Sequence, residues 1–330
     1  NSSTVLKVSA IESLKLDIIP EMLSAQTTFS YDSYQVNDYA WYGPTHFYRS
    51  SKGGQIDVNN ASKYKIVSST TINFNKSFGE HSVSALVGFE AEKNKTDYTR
   101  ATGNQFANDI VRTVKVAGQT ESNAYSWGNT MASILSKAEY NYANKYFVSG
   151  SYRRDGSSQL SPDTRWGDFW SVAASWKLSN ENFLKDVKWL NNLRIRGSYG
   201  VNGTLPSGNY EWIPTFSYNL KYQGEAGGYI SGNANEELTW ETSYTYNIGL
   251  EASMFDGRLN ANIEFFNRDS KDLLLPVQTS RTTGFTSILA NVGQIRNRGW
   301  EIELNGDIIR KKDFTWDLGL TASFVKGKVM

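Results

Sequence analysis

Cysteine is absent from these 330 residues, and histidine occurs only at His46 and His81. Without a thiol there is no disulfide and no cysteine nucleophile or ligand, and two isolated histidines supply no metal-ligand set. A glycine-rich phosphate cradle is missing as well. Catalysis, a resident metal and an organic cofactor are therefore not expected. Charge of one sign is also lacking. The 34 basic and 33 acidic side chains leave a net charge of +1 with no dominant basic stripe, so nucleic acid is not an expected partner. Long hydrophobic runs are scarce too. Mean hydropathy is −0.49, and no stretch approaches the roughly 18 continuous apolar residues of a membrane-crossing helix, which excludes a helical membrane protein.

What the chain does have is alternation. From Thr245 to Phe265, Tyr246, Ile248, Leu250, Ala252 and Met254 share one face, and Leu259, Ala261, Ile263 and Phe265 continue it after Asp256-Gly257. Thr245, Asn247, Gly249, Glu251, Asn260, Asn262 and Glu264 fall on the other face, because side chains alternate with period 2. Asp-Gly between such runs favours a primed turn with positive φ at both central residues. The runs exceed the about 5–6 residues of a typical soluble strand and match the roughly 9–11 residues of a tilted strand crossing a bilayer. Near the C-terminus Glu301, Glu303 and Asp307 oppose Trp300, Ile302 and Ile308. A face bearing such carboxylates does not suit a dry sheet-on-sheet core, where unpaired charge is costly, but it suits a wet or plugged lumen. Aromatic residues make up 14% of the chain, and many lie near strand ends, where girdles form in barrels; Tyr140, Tyr142 and Tyr146 bracket one turn.

The pattern predicts an all-β fold, an antiparallel up-and-down transmembrane β-barrel. About twelve strands are expected, over residues 10–19, 22–33, 63–77, 81–96, 127–142, 146–154, 168–178, 190–201, 238–255, 258–276, 298–309 and 314–326, with a short helical or irregular stretch at 179–189. Tight turns at Pro20, Gly79, Asn144, Asp256 and Lys311 alternate with long loops at 34–62, 97–126 and 202–237. In outer-membrane barrels the short turns face the periplasm and the long loops face outside, where binding usually resides. Asn1 follows no signal peptide and Met330 comes directly after a strand, so residues 1–330 read as part of a larger barrel.

Ordered motifs carry a family resemblance. Arg153-Arg154-Asp155-Gly156-Ser157-Ser158, Arg165-Trp166-Gly167, Ser171 to Trp176, Leu193 to Gly200, Leu238-Thr239-Trp240-Glu241, Lys271 to Leu275, Asn291-Val292-Gly293 and Asn297 to Glu301 together resemble the SusC/RagA family of TonB-linked outer-membrane transporters from Bacteroidota. The resemblance covers most of the chain from about Lys63 onward. It implies a large barrel with an N-terminal plug, energised by the TonB complex through a region upstream of these residues, seated in the outer-membrane lipid bilayer and capped by a SusD-like surface lipoprotein. It also implies oligosaccharide or peptide substrates. Against the whole-family pattern, the chain shows no plug, no TonB-contacting segment, no signal sequence and no closing C-terminal strands.

Candidate contact residues are Trp41, Tyr42, Trp127, Tyr210 and Trp212, which fall in or beside the expected outer loops. Their flat faces suit a sugar ring or a lipoprotein lid, and they suit packing of the loops themselves equally well. Glu301 and Glu303 share one face at strand spacing but read as lumen carboxylates rather than an acid/base pair. His46, among Trp41, Tyr42, Phe47 and Tyr48, reads as a surface or contact residue, and Arg153-Arg154-Asp155-Gly156, although it could bind an anionic group, reads more simply as a strand end and turn whose arginines pair with loop carboxylates. Two other functions fit the alternation alone: a passive porin or structural barrel, and a soluble β-rich carbohydrate-binding module.

Overall fold

The computed structural model describes the backbone of residues 1–330 and every side chain except that of Asn219. Its strands are β1 (Ser2–Ile19), β2 (Leu23–Tyr42), β3 (Gln55–Phe78), β4 (His81–Asn104), β5 (Gln119–Tyr142), β6 (Tyr146–Ser157), β7 (Trp166–Lys177), β8 (Leu190–Thr204), β9 (Thr215–Tyr222), β10 (Glu225–Gly232), β11 (Glu241–Met254), β12 (Leu259–Lys271), β13 (Leu274–Gln278), β14 (Ser287–Asn291), β15 (Gln294–Lys311) and β16 (Phe314–Val329). Twelve of them form one sheet in the order β1-β2-β3-β4-β5-β6-β7-β8-β11-β12-β15-β16, so sequence neighbours are sheet neighbours apart from two inserted hairpins, β9–β10 and β13–β14. Among the described residues no helix is long and apolar enough to cross a membrane. The all-β, up-and-down architecture and all twelve expected strands are borne out.

The chain divides into two units. One comprises Asn1–Leu14, Thr27–Thr70 and Glu90–Ala132, which hold the long-loop ends of β1 to β5 with their connections. The other comprises Lys15–Gln26, Thr71–Phe89 and Ser133–Met330.

In the larger unit, register follows the alternation. β11 pairs with β12 from Thr242↔Lys271 to Met254↔Leu259 without a break, and β12 pairs with β15 from Leu259↔Gly306 to Lys271↔Gln294. One face therefore carries Val148, Val172, Ile195, Ile248, Leu250, Trp300 and Leu320, all exposed. Ser149, Ser171, Arg196, Asn247, Glu264 and Glu303 lie on the other. Tight turns fix this register. Arg258 N donates to Phe255 O at 3.2 Å around Asp256 (φ 57°) and Gly257 (φ 77°), the positive pair expected of a primed turn. The same signature recurs at Ala143-Asn144, where Lys145 N reaches Tyr142 O at 2.9 Å.

Buried apolar side chains are few and sit toward the long-loop ends of the strands: Ile56 and Phe106 in the first unit, and Leu160, Phe169, Val201, Leu238 and Trp240 in the second. A water-soluble fold would bury its strand faces. Here the apolar stripes stay open, as they do when lipid is the solvent.

Several boundaries need correction. The expected loops at 34–62 and 97–126 are mostly strand, leaving connections of 43–54 and 105–118. The 202–237 loop contains the β9–β10 hairpin, and the strand expected over 258–276 stops at Lys271, because Asp272 takes φ 55° and residues 274–278 pair instead with β14. Residues 178–189 are irregular as expected, opening with a single 3₁₀ turn at Leu178–Asn180.

Candidate functional site

In the larger unit the polar face opens into a cavity of about 730 Å³. Small polar residues at period 2 build it: Ser82 and Ser84 on β4, Ser149 on β6, Ser175 on β7, Ser198 on β8 and Asn247 on β11. At one side Arg196 lies between two carboxylates. Its Nη2 donates to Glu264 Oε2 at 2.5 Å, and its Nε stands 3.0 Å from Glu251 Oε1, close enough for an ion pair though not angled as a hydrogen bond. Gly249 leaves the room for this guanidinium, since a Cβ there would meet Arg196 Nε at 2.8 Å. Arg196 is not among the contact residues that the sequence singles out. The signal was present in Arg194, Arg196 and Ser198, three polar residues at strand spacing.

At the short-turn end, aromatic rings run from strand to strand. Phe78 stacks on His81 at 5.1 Å, His81 meets Tyr142 at 4.9 Å, Tyr142 stacks on Tyr146 at 6.3 Å and Tyr146 on Trp176 at 6.1 Å. This is the girdle that Tyr140, Tyr142 and Tyr146 foretold. Glu181, in the connection after β7, ties it down: Tyr146 Oη donates at 2.6 Å, Lys145 Nζ at 3.0 Å and Trp176 Nε1 at 3.1 Å. Those donors, Tyr146 first, hold its carboxyl at about 2 against an ordinary 4.5.

At the long-loop end of the same unit, Trp240 Nε1 donates to Arg165 O at 3.0 Å, and Trp240 meets Phe169 edge-on at 5.1 Å. Asn291 accepts from Thr239 N at 2.8 Å and donates back to Thr239 O at 2.9 Å. The segment Leu238 to Glu241 is thus a clasp between connections. Arg153 pairs with Asp155 at 2.6 Å and donates to Ser133 Oγ at 2.8 Å, which makes this run structural. Tyr210 and Trp212 lie in the connection after β8. Tyr210 is exposed, whereas Trp212 is half-buried with its Nε1 turned inward and no hydrogen-bond partner among the described residues. Glu303 accepts from Asn305 at 2.8 Å on the polar face.

In the smaller unit the connections 43–54 and 105–118 pack on each other, with Gln105 N bonded to Lys52 O at 3.0 Å and Phe106 N to Gly53 O at 2.9 Å. Trp41 is clamped there. It meets Phe106 edge-on at 4.6 Å, donates Nε1 to Asp109 Oδ1 at 2.7 Å and lies under Arg112. Tyr42 contacts His46 at 5.0 Å and sits beneath Arg49. Beneath these loops Asp57, three residues into a 24-residue strand and so beyond the about 9–11 residues that cross a bilayer, accepts from Arg100 at 2.8 Å, Thr102 at 2.7 Å and Gln55 at 2.6 Å. Burial pushes its carboxyl up, but the three donors prevail and hold it below the usual range. Trp127 is more open. It lines a separate pocket with Tyr34 and several lysines.

The family model for the β-barrel of TonB dependent receptor-like proteins matches residues 13–327. The chain belongs to this receptor barrel family. The receptor barrel is 30% identical over 314 residues to TonB-dependent receptor P39 of Formosa agariphila, covering 93% of this chain and 30% of that protein. It is 33% identical over 265 residues to TonB-dependent receptor SusC of Bacteroides thetaiotaomicron, covering 78% of this chain and 26% of that one. In fold it is similar to the RagAB peptide transporter, with a TM-score of 0.89 at 23% identity over 99% of this chain and 37% of that chain. The siderophore receptor PiuA from Acinetobacter baumannii follows the same fold at a TM-score of 0.61 and 14% identity, over 99% and 47%. The receptor barrel is thus of the SusC/RagA type that its motifs resemble, and it spans about 30% of the length of the curated relatives.

Proposed function

We propose that this barrel is the wall of an outer-membrane nutrient importer, energised through TonB and working with a SusD-like surface lipoprotein to take up oligosaccharides or peptides. One observation carries the reading: a polar, cavity-bearing face with Arg196, Glu251 and Glu264 on it stands opposite an exposed apolar face, in a chain whose family is that of TonB-dependent receptors. The first face suits a hydrated path for solute and the second suits lipid. Residues 1–330 are the barrel portion of a longer receptor in this reading, and the plug and the TonB-contacting segment belong to the rest of that protein. The relatives named as TonB-dependent receptors, and the neighbour described as a peptide transporter, support it. The wall transports and performs no chemistry on its cargo.

Trp127 and Tyr210, the more open of the five aromatic candidates, are proposed to meet substrate or lipoprotein directly. Trp41, Tyr42 and Trp212 are proposed to contribute through the shape of the loops they hold. The decisive experiment is uptake of labelled oligosaccharide and peptide pools by cells carrying the complete receptor, with and without TonB. Uptake that disappears with either the receptor or TonB is expected. Uptake that persists without TonB sinks the energised part and leaves a passive pore. Alanine at each of the five aromatics, with affinity measured in the complete receptor, tests the contacts, and unchanged affinity in all five removes them.

A further inference from the structure

In the smaller unit, a pocket of about 320 Å³ is bordered by Lys7, Asp32, Tyr34, Lys63, Lys65 and Trp127. Side-chain bonds, with Thr27 and Thr70 meeting at 3.1 Å on the reverse face to link β2 to β3, show that these residues share one face. Lys65 Nζ pairs with Glu92 at 2.9 Å, Asn94 bridges Glu92 at 2.6 Å and Asn129 at 2.9 Å, and Ser9 donates to Asp32 at 2.6 Å. Strand alternation then puts Lys63 beside Lys65, Trp127 beside Asn129, Lys7 beside Ser9 and Tyr34 beside Asp32. The reverse face bears Leu6, Val8 and Phe29, all exposed. The pocket therefore opens on the polar side of the wall.

Its charges are unevenly matched. Glu92 is paired with Lys65 and bonded by Asn94, Asp32 accepts from the neutral Ser9 hydroxyl and keeps its charge, and Lys95 at the margin is held by Asp97 at 3.0 Å, so one positive charge is in excess. Lys7 and Lys63 make no ion pair among the described residues, which leaves two ammonium groups with their donors open. The ring of Trp127, 38% exposed, and that of Tyr34, 41% exposed, stand in the same pocket. The strand backbones beneath have their amide and carbonyl groups committed to neighbouring strands, so a ligand meets cations and flat rings and finds no free peptide groups to pair with. A peptide backbone gains little there. A sugar ring that lays its apolar face on an indole while its acidic substituents reach two ammonium groups uses everything on offer.

We propose that this pocket is a binding subsite for acidic oligosaccharides, with Lys7 and Lys63 as the anion contacts and Trp127 as the ring platform. The inference rests on the import reading, since it names the substrate class that the wall receives.

The test is calorimetric titration of the complete receptor in detergent with tetragalacturonate, maltotetraose and tetraglutamate. Tetragalacturonate is expected to bind best and to weaken as salt rises from low to high, because exposed charge pairs are screened. Lys7→Gln and Lys63→Gln are each expected to lower its affinity about tenfold, the usual loss with a charge-assisted contact. Lys63→Arg should restore most of the binding, and Trp127→Ala should weaken it. Retention of the heat-modifiable band in each variant confirms that the barrel is folded. Unchanged affinity in both glutamine variants, equal binding of maltotetraose, or tighter binding of tetraglutamate overturns the proposal. TonB-dependent uptake of neutral glycan or peptide by a receptor that ignores tetragalacturonate overturns it while import stands. Lysine-dependent tetragalacturonate binding in a receptor whose uptake never requires TonB upholds the subsite and overturns energised import.

Discussion

Glu181 draws together Lys145, Tyr146 and Trp176, and in doing so fastens the irregular connection after β7 to the turn before β6. Its carboxyl is held at about 2, below the ordinary 4.5, so the folded state favours the charged form. The stabilisation is complete above about pH 4.5, declines as pH falls below that value and is gone once pH has dropped through about 2. Proteolysis of residues 178–189 in the folded barrel is expected to accelerate across that window, and Glu181→Gln is expected to cut readily even at neutral pH. If the wild type and the glutamine variant are cleaved at the same rate at pH 7, the clasp has no such role. Arg196 holds a different kind of position. Removing it leaves Glu251 and Glu264 on one polar face without their cation, and Arg196→Ala is expected to lose about 1–3 kcal/mol of stability in urea titrations, with Arg196→Lys between the two. An unchanged midpoint in the alanine variant would show that the pair is fully solvated.

Turns decide how the strands are set against one another. Gly257 takes φ 77° in the β11–β12 turn, a conformation that disfavours any Cβ, and Gly257→Val is expected to cost about 1–2 kcal/mol and to slow refolding into micelles. Refolding at the wild-type rate and midpoint would refute a role for that turn. Asp256-Gly257 and Ala143-Asn144 were legible in the sequence because each sits between runs whose faces differ sharply. All twelve sheet strands were legible for the same reason, each having a lipid-suited face. Their outer extensions were not. Between Tyr34 and Tyr42 polar residues fall on both faces, so periodicity gives no signal where loops and water replace lipid, and the short alternation of Gln55 to Asn59 is broken by Asn60 before it reaches the expected strand. The β9–β10 hairpin is hidden by Gly227, Gly228 and Gly232, and β13 by Pro276, which reads as a strand breaker but is tolerated in a short two-stranded hairpin. The aromatic candidates were visible as aromatics near loops. That Trp41 is clamped by Phe106 and Asp109 depends on partners more than sixty residues away, and Lys7 and Lys63 share a pocket although 55 positions separate them.

For the molecule as a whole, the two faces define two solvents. Leu250, five residues from the β11–β12 turn, lies near the middle of a bilayer crossing of about 9–11 residues, so Leu250→Arg in the complete receptor is expected to cost about 2–4 kcal/mol in bilayer folding titrations. Ser149→Arg, on the cavity face, is expected to cost well under half of that. Equal penalties would mean that both faces meet the same medium and would revive a soluble β-rich module. The scarcity of buried apolar side chains agrees with the first outcome, because the sheet has no second layer to cover its apolar stripe among the described residues.

The unbroken β11–β12 register, thirteen facing pairs from Thr242↔Lys271 to Met254↔Leu259, has a genetic corollary. Losing or gaining one codon early in β11 turns every later side chain of that strand to the opposite side, carrying Ile248 and Leu250 into water and Asn247 and Glu251 into hydrocarbon. A second such change in the same strand restores the sidedness. The gene is therefore expected to tolerate length variation freely in its connections and, within its strands, in multiples of two codons, so that inheritance in the wall is counted in dipeptides.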